Sequence, residues 1–195
     1  MEEQNTKQSE IITLSTAKKY EFLVVDADDF AEDNHRLDLL FQIKKEIPEF
    51  KISVFTVLGK CSMDFIRYVK TLDWIDMIPH GWGHKDAYEC KDWTLEQAKT
   101  YFEKLEHYGL TRGFKAPGWQ ISQHIYEVAP QYGYWIADQP FNSKTRPKSV
   151  SVYELDRPWK KHYHIQNVCD NGLEEKVEEI LSFKGNKFKF IKETL

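Results

Sequence analysis

Strand-like and helix-like stretches alternate along almost the whole chain, and chemically capable side chains gather where the strand-like runs end. Residues 21–29 (EFLVVDADD) are predicted to form a buried strand that ends in acids. The stretch 35–47 carries Leu37, Leu40, Phe41 and Ile47 at helical spacing until Pro48 stops it. A β-rich run at 51–57 follows, then a short helix that Ser62 is suited to cap, ending near Leu72, and a strand at 75–78 that runs into His80. Thr94-Leu-Glu-Gln97 has the form of a capping box, and the helix it opens is expected to bury Leu95, Ala98, Phe102 and Leu105 and to end at Gly109. Beyond it we expect a strand at 113–116, a helix over 122–132, strands at 134–137, 149–155 and 162–168, a helix over 173–183 and a closing extended run at 187–191. This alternation predicts a mostly parallel α/β sheet or barrel with helices outside. It predicts a single domain over 20–195, preceded by a polar tail or short strand at 1–19.

In such folds chemistry collects at the C-terminal ends of the strands. The polar clusters fall there: Asp26, Asp28 and Asp29, then His80 and His84, then Lys115, then Asp138, then His164. Composition narrows the function classes. A net charge of -4 argues against a nucleic-acid surface, which is normally basic. Cys61, Cys90 and Cys169 are odd in number and have no CxxC spacing, so neither a disulfide framework nor a zinc–cysteine site is expected. No apolar run reaches the roughly 18 residues of a membrane span. The start of the chain is polar and acidic, unlike a secretory leader, so a cytoplasmic protein, or a mature one stripped of its leader, is expected.

His80-Gly-Trp-Gly-His84 places two imidazoles four residues apart. One turn of helix, or a tight loop favoured by Gly81 and Gly83, lets both rings point at one place. Two imidazoles leave a metal under-coordinated, and Asp26-Ala-Asp28-Asp29 is the obvious carboxylate donor. Acids this close repel one another, and burying them requires a cation or several donors. Two histidines and one carboxylate leave positions open for water and substrate, as catalytic rather than structural sites do. Zinc, cobalt, nickel and manganese all suit such a donor set.

At these residues the sequence resembles the polysaccharide deacetylases with a NodB-type domain, carbohydrate esterase family 4. Asp26-Ala-Asp28-Asp29-Phe30 is similar to that family's TFDDG motif, and His80-Gly-Trp-Gly-His84 to its H-(S/T)-x-x-H motif with Gly81 in the Ser/Thr place. Phe114-Lys-Ala-Pro-Gly-Trp119 resembles the R-x-P segment, Asp138 the fourth-motif aspartate and His162-Tyr-His164 the L-x-H ending. The resemblance covers about Glu21 to Ile180. It implies a distorted (β/α)7-type barrel and a metal-dependent hydrolase that removes acetyl groups from an N- or O-acetylated sugar or polysaccharide. It implies Asp28 as general base, Asp29, His80 and His84 as metal ligands and His164 as general acid, with Asp138 holding its imidazole. A backbone N–H near Gly118 would help stabilise the oxyanion. Trp82, Trp119 and Trp135, with Pro117 and Gly118, are expected to contact substrate.

The sequence departs from the family pattern at two places. The arginine that steadies the catalytic aspartate is Lys115 here, a point charge rather than a bidentate fork. Asp26 stands where the family has Thr, and His162, on the same face of a strand as His164, is a rival acid. Two other functions therefore stand beside the first: a deacylase or amidohydrolase acting on a non-carbohydrate small molecule, and a glycan-binding module without turnover. No nucleic-acid or membrane partner is expected, and the pattern does not address the oligomeric state.

Overall fold

The computed structural model describes residues 20–139, 142, 144–148, 152–154, 157–166 and 171–195. The tail at 1–19, Cys169, and positions 149–151, 155 and 167–168 of two expected strands lie outside the described residues. The elements are β1 (Leu23–Phe30), α1 (Leu37–Glu46), β2 (Ile52–Thr56), α2 (Met63–Lys70), β3 (Ile75–Pro79), α3 (Leu95–Leu105), β4 (Gly113–Lys115), α4 (Gln123–Val128), β5 (Trp135–Asp138), β6 (Val152–Glu154), β7 (Lys160–His164), α5 (Leu173–Leu181) and β8 (Phe188–Lys189).

All paired strands run parallel. One sheet has the order β3-β2-β1-β7 with β8 against the start of β1, and a second has the order β4-β5-β6. The sheets meet along β3 and β4, where the Thr111 N–H donates to the Met77 carbonyl at 3.2 Å. Across β6 and β7, the Lys160 ammonium lies over the Tyr153 ring. The result is a distorted barrel whose hydrogen-bond ladder is interrupted at these two seams.

Period-2 alternation sorts the side chains into two layers. Leu23, Val25 and Ala27 of β1, Ile52 and Val54 of β2, Phe114 of β4 and Ile136 of β5 pack against the helices in the main core. Val24, Phe55, Ile78, Trp135, Ala137, Tyr153 and Ile191 form a smaller core inside the barrel. Asp26 and Asp28 follow Val24 at the same phase, so acids continue up the interior above an apolar floor.

The local chemistry of the helices accounts for their starts and stops. Ser62, Thr94 and Ser122 each accept a backbone N–H as N-caps, Thr94 in a full capping box. Pro130 tightens the end of the helix expected over 122–132 into a 3₁₀ turn. Leu95, expected in the core, is 40% exposed because it sits in the first turn of α3; Tyr101 joins Ala98, Phe102 and Leu105 on the buried face instead. The closing run is extended only at Phe188–Lys189 before it turns into a 3₁₀ helix.

Candidate metal centre and catalytic site

The first strand delivers two adjacent acids to one place. In a flat strand Asp28 and Asp29 would point to opposite faces. The β1–β2 register shifts between Ala27 and Phe30, and Asp29 has φ +66°, so this irregularity turns its carboxylate towards the site. Asp29, His84 and Trp119 all have positive φ, which is uncommon for residues with side chains and costs of order 1–3 kcal/mol each. Three strained residues converge on one strand-end cluster.

Asp29 Oδ1 lies 3.0 Å from His84 Nε2 and 3.6 Å from His80 Nε2. Potential ligand atoms of these three residues all fall within 4.8 Å of one another. His80 Nδ1 is 2.9 Å from the Lys115 carbonyl, which fixes the N–H on that nitrogen and leaves Nε2 its lone pair. Asp29 Oδ2 accepts from Gln166 Nε2 at 3.0 Å and faces His164 Nδ1 at 3.2 Å, whereas Oδ1 is buried without a hydrogen-bond partner. Burial would raise the Asp29 carboxyl, but the His164, His80 and His84 imidazoles set around it hold it well below the usual carboxylate range. The Asp29 carboxylate beside it in turn raises His84. An ionised, unpartnered oxygen facing two imidazole nitrogens fits a divalent cation of the zinc, cobalt, nickel or manganese class.

The loop that carries both histidines is tied down by a residue the sequence pattern did not mark. The Glu89 carboxylate accepts the N–H groups of Trp82 (2.7 Å), Gly83 (3.1 Å) and His84 (2.5 Å). The Tyr101 hydroxyl donates to the Gly81 carbonyl at 2.8 Å. Gly81 has φ +62°, and a Cβ there would stand 2.9 Å from the Pro117 ring.

Beside the candidate metal ligands lies a second cluster of titratable side chains. Asp28 Oδ2 pairs with the fully buried Lys115 ammonium, while Asp28 Oδ1 is buried and unpartnered. Burial would raise the Asp28 carboxyl, but Lys115, His162 and His80 outweigh it and lower it to about 2. His162 directs Nδ1 to Asp26 at 2.5 Å and Nε2 to Asp28 Oδ2 at 3.6 Å. The Trp119 ring covers the Lys115 ammonium and meets the His162 ring edge-on at 6.2 Å. Asp28, His162 and His164 also lie close enough to share a cation, but the Lys115 ammonium against Asp28 opposes a second one there.

The structure thus brings together Asp28, Asp29, His80, His84, Lys115 and His164, with Trp119 as a wall. Pro117 is buried beneath Gly81, and Gly118 has φ +56° in a turn where a Cβ would stand 2.5 Å from the Ala87 carbonyl. Three expected residues are placed elsewhere. Asp138 faces the helix layer, where it accepts from the Tyr126 hydroxyl and Asn142 Nδ2, each at 2.6 Å; its described contacts do not include His164. Through Asn142, which also reaches the Trp119 carbonyl at 3.3 Å, Asp138 steadies the Trp119 turn. Trp135 lies in the barrel floor against Tyr153. The Trp82 ring, under the Lys104 ammonium, lines a separate groove with Trp93 and Tyr101. A cavity of about 440 Å³ opens beside Asp29 and His84, bounded by Asp33, Asn34, Lys60 and Gln166.

Neither a known sequence-family profile nor a curated protein matches this chain. Solved structures do match it in fold. A family 4 acetyl xylan esterase from Clostridium thermocellum, determined with a cobalt ion, is 11% identical with a TM-score of 0.58, covering 88% of this chain and 89% of the esterase. The Bc1960 peptidoglycan N-acetylglucosamine deacetylase is 14% identical with a TM-score of 0.58, covering 90% of this chain and 88% of its own. BA3943 of Bacillus anthracis, a pseudoenzyme of carbohydrate esterase family 4, is 13% identical with a TM-score of 0.57, covering 90% of this chain and 65% of its own. In fold, the chain resembles the polysaccharide deacetylases with a NodB-type domain.

Proposed function

We propose that this chain is a metal-dependent hydrolase that removes an acyl group, acetyl first of all, from an N- or O-acylated sugar. The observation that carries this reading is the unpartnered Asp29 Oδ1 facing His80 and His84 with Asp28 alongside. Asp29, His80 and His84 would hold the metal. When bound, it supplies a Lewis acid that polarises an acyl oxygen and makes water more acidic. Asp28 accepts the proton of the attacking water at Oδ1, the oxygen that Lys115 does not occupy. Lys115 keeps Asp28 ionised and fixed in direction, and Trp119 shields the pair from bulk water. A histidine of β7 then protonates the leaving amine or alkoxide. The cavity beside Asp29 is of small-ligand size, which favours a short acylated sugar over a long polymer.

One observation favours a second reading, a glycan-binding module without turnover: the fully buried Lys115 ammonium paired with Asp28 draws its carboxyl down and makes it a weak base. Metal analysis of the purified protein, joined to acetate release from short N-acetylated oligosaccharides and a panel of acetylated small molecules, separates the possibilities. Stoichiometric metal with acetate release from the sugars supports the hydrolase. Release from non-carbohydrate amides alone moves the substrate class, and bound metal with no turnover on any acylated compound overturns the hydrolase.

A further inference from the structure

We propose that Asp26 is a positioning residue that fixes the tautomer of His162, so that His162 Nε2 rather than His164 delivers the proton to the leaving group. The proposal rests on the hydrolase reading above. Asp26 is fully buried inside the barrel, two residues below Asp28 on the same face, and β1 pairs with β7 so that Asp26 stands opposite His162. Its Oδ1 lies 2.5 Å from His162 Nδ1, and its Oδ2 has no hydrogen-bond partner. A buried carboxylate with one free oxygen is costly unless its remaining partner is a strong donor. An imidazole N–H held this way is such a donor, and it commits the other ring nitrogen to face outward. That nitrogen, Nε2, points at Asp28 Oδ2 (3.6 Å) and Lys115 Nζ (3.5 Å), beside the metal ligands.

His164 is differently placed. Its Nδ1 faces Asp29 Oδ2, the second oxygen of the metal-facing carboxylate, so its ring helps to orient a ligand. Asp138, at the family position for holding the acid, is occupied by Tyr126 and Asn142, and Asp26 supplies that function from another strand. The titratable groups facing His162 are Asp26 and Asp28 of β1, Lys115 of β4 and His164 on its own strand, while the Tyr153 phenol of β6 feels the Asp26 charge.

The proton balance closes. Water adds its oxygen to the acyl carbon and gives one proton to Asp28. Imidazolium His162 gives its Nε2 proton to the leaving nitrogen or oxygen as that bond to carbon breaks. The proton on Asp28 Oδ1 is then returned by way of solvent to His162 Nε2, restoring both groups.

The test compares wild type with Asp26→Asn, His162→Ala and His164→Ala on an N-acetylated sugar and on an activated aryl acetate, whose leaving group needs little protonation. Nitrogen NMR of the His162 ring in metal-free protein adds a readout independent of turnover. We expect neutral His162 to carry its proton on Nδ1 in wild type and to lose that preference in Asp26→Asn. We expect Asp26→Asn and His162→Ala to lower kcat on the amide by roughly 10²–10⁴-fold, to spare the aryl ester and to flatten the alkaline limb of the pH profile. Should Asp26→Asn fail to fold, His162→Ala, at a half-exposed position, carries the leaving-group comparison. An unchanged tautomer in active enzyme, equal losses on both substrates, or leaving-group dependence in His164→Ala alone overturns the proposal. A wild-type protein inactive on both substrates instead sinks the hydrolase reading and the acid role with it, while the NMR result still shows whether Asp26 sets the ring.

Discussion

The two halves of the site are built in opposite ways. The proposed metal half draws two of its three candidate ligands from one five-residue loop, His80-Gly-Trp-Gly-His84, and that loop is locked from nearby by Glu89 and Tyr101. The proposed proton half is assembled from distant strands: Asp26 and Asp28 from β1 and His162 from β7 by register, with Lys115 from β4 of the other sheet, and Asp26 and His162 lie 136 positions apart in sequence. A local half can fail locally and leave the barrel intact. A half made by register, with its charges buried in the barrel, cannot be disturbed without touching stability.

The sharpest way to break this contrast is to remove a ligand. His80→Ala or His84→Ala should abolish stoichiometric metal binding and lower turnover about a thousandfold or more, since a catalytic metal supplies several kcal/mol. Thermal unfolding should move little in His84→Ala, whose ring is partly exposed, and further in His80→Ala, whose buried ring meets Phe55 of the inner core. Metal analysis beside a melting curve checks both statements, and full occupancy in the double variant would remove the assignment. Between the acids, Asp28→Asn should keep the metal and lose turnover, whereas Asp29→Asn should lose the metal first. Reversed losses would mean that the two carboxylates exchange roles.

The proton half should answer in stability. Lys115→Met strands a buried Asp28 charge, and breaking such a pair costs about 3–5 kcal/mol at pH 7. The sign with pH follows from the lowered carboxyl. In wild type, the stabilisation from Asp28 is fully present above its unfolded pKa near 3.8 and is lost as pH falls through about 2. A shift of that size corresponds to roughly 2 kcal/mol. In Lys115→Met the stranded carboxylate takes up a proton more readily, so the penalty should shrink on acidification. Urea unfolding of chelator-treated protein at pH 7, 5 and 3 measures it; a penalty that stays constant with pH would mean that Lys115 acts by packing, not charge.

The same contrast explains what could be read in the sequence. The alternation of strands and helices, the caps at Ser62 and Thr94, and the HxxxH loop are short-range patterns, and the structure forms each near its expected position. The barrel interior was less accessible. Trp135 and Asp138 are three apart on β5, so period 2 sends them to opposite layers, one to the floor and one to α4. Choosing between His162 and His164 requires the β1–β7 register, which no single stretch of sequence encodes. Glu89 is one of several acids between Asp86 and Glu96, and nothing in its spacing marks it as the one that folds back onto three amides.

A smaller effect tests whether the loop lock matters to the metal. Glu89→Ala frees the amides of Trp82, Gly83 and His84 and lets the loop relax from the positive φ of His84. Residues that orient metal ligands typically contribute 10–100-fold in affinity. We expect a loss in that range by metal titration, with the fold retained by circular dichroism. Unchanged affinity would show that the strands alone suffice to place His84.

The smallest expected effect joins the loop to the helix layer. The Tyr101 hydroxyl reaches from α3 to the Gly81 carbonyl, and burial pushes the phenol well up, so it remains a donor at every working pH. Tyr101→Phe keeps the ring and its edge contacts with Phe102 and Phe114 while leaving the Gly81 carbonyl unpartnered. The cost should be about 1 kcal/mol, the net worth of one buried hydrogen bond, with no pH dependence between 5 and 8. Metal affinity should fall only a few-fold, less than in Glu89→Ala, because one carbonyl is released where Glu89 releases three amides. If Tyr101→Phe instead weakens the metal as much as Glu89→Ala, the loop is held as one cooperative unit with α3, and the metal half is no more local than the proton half.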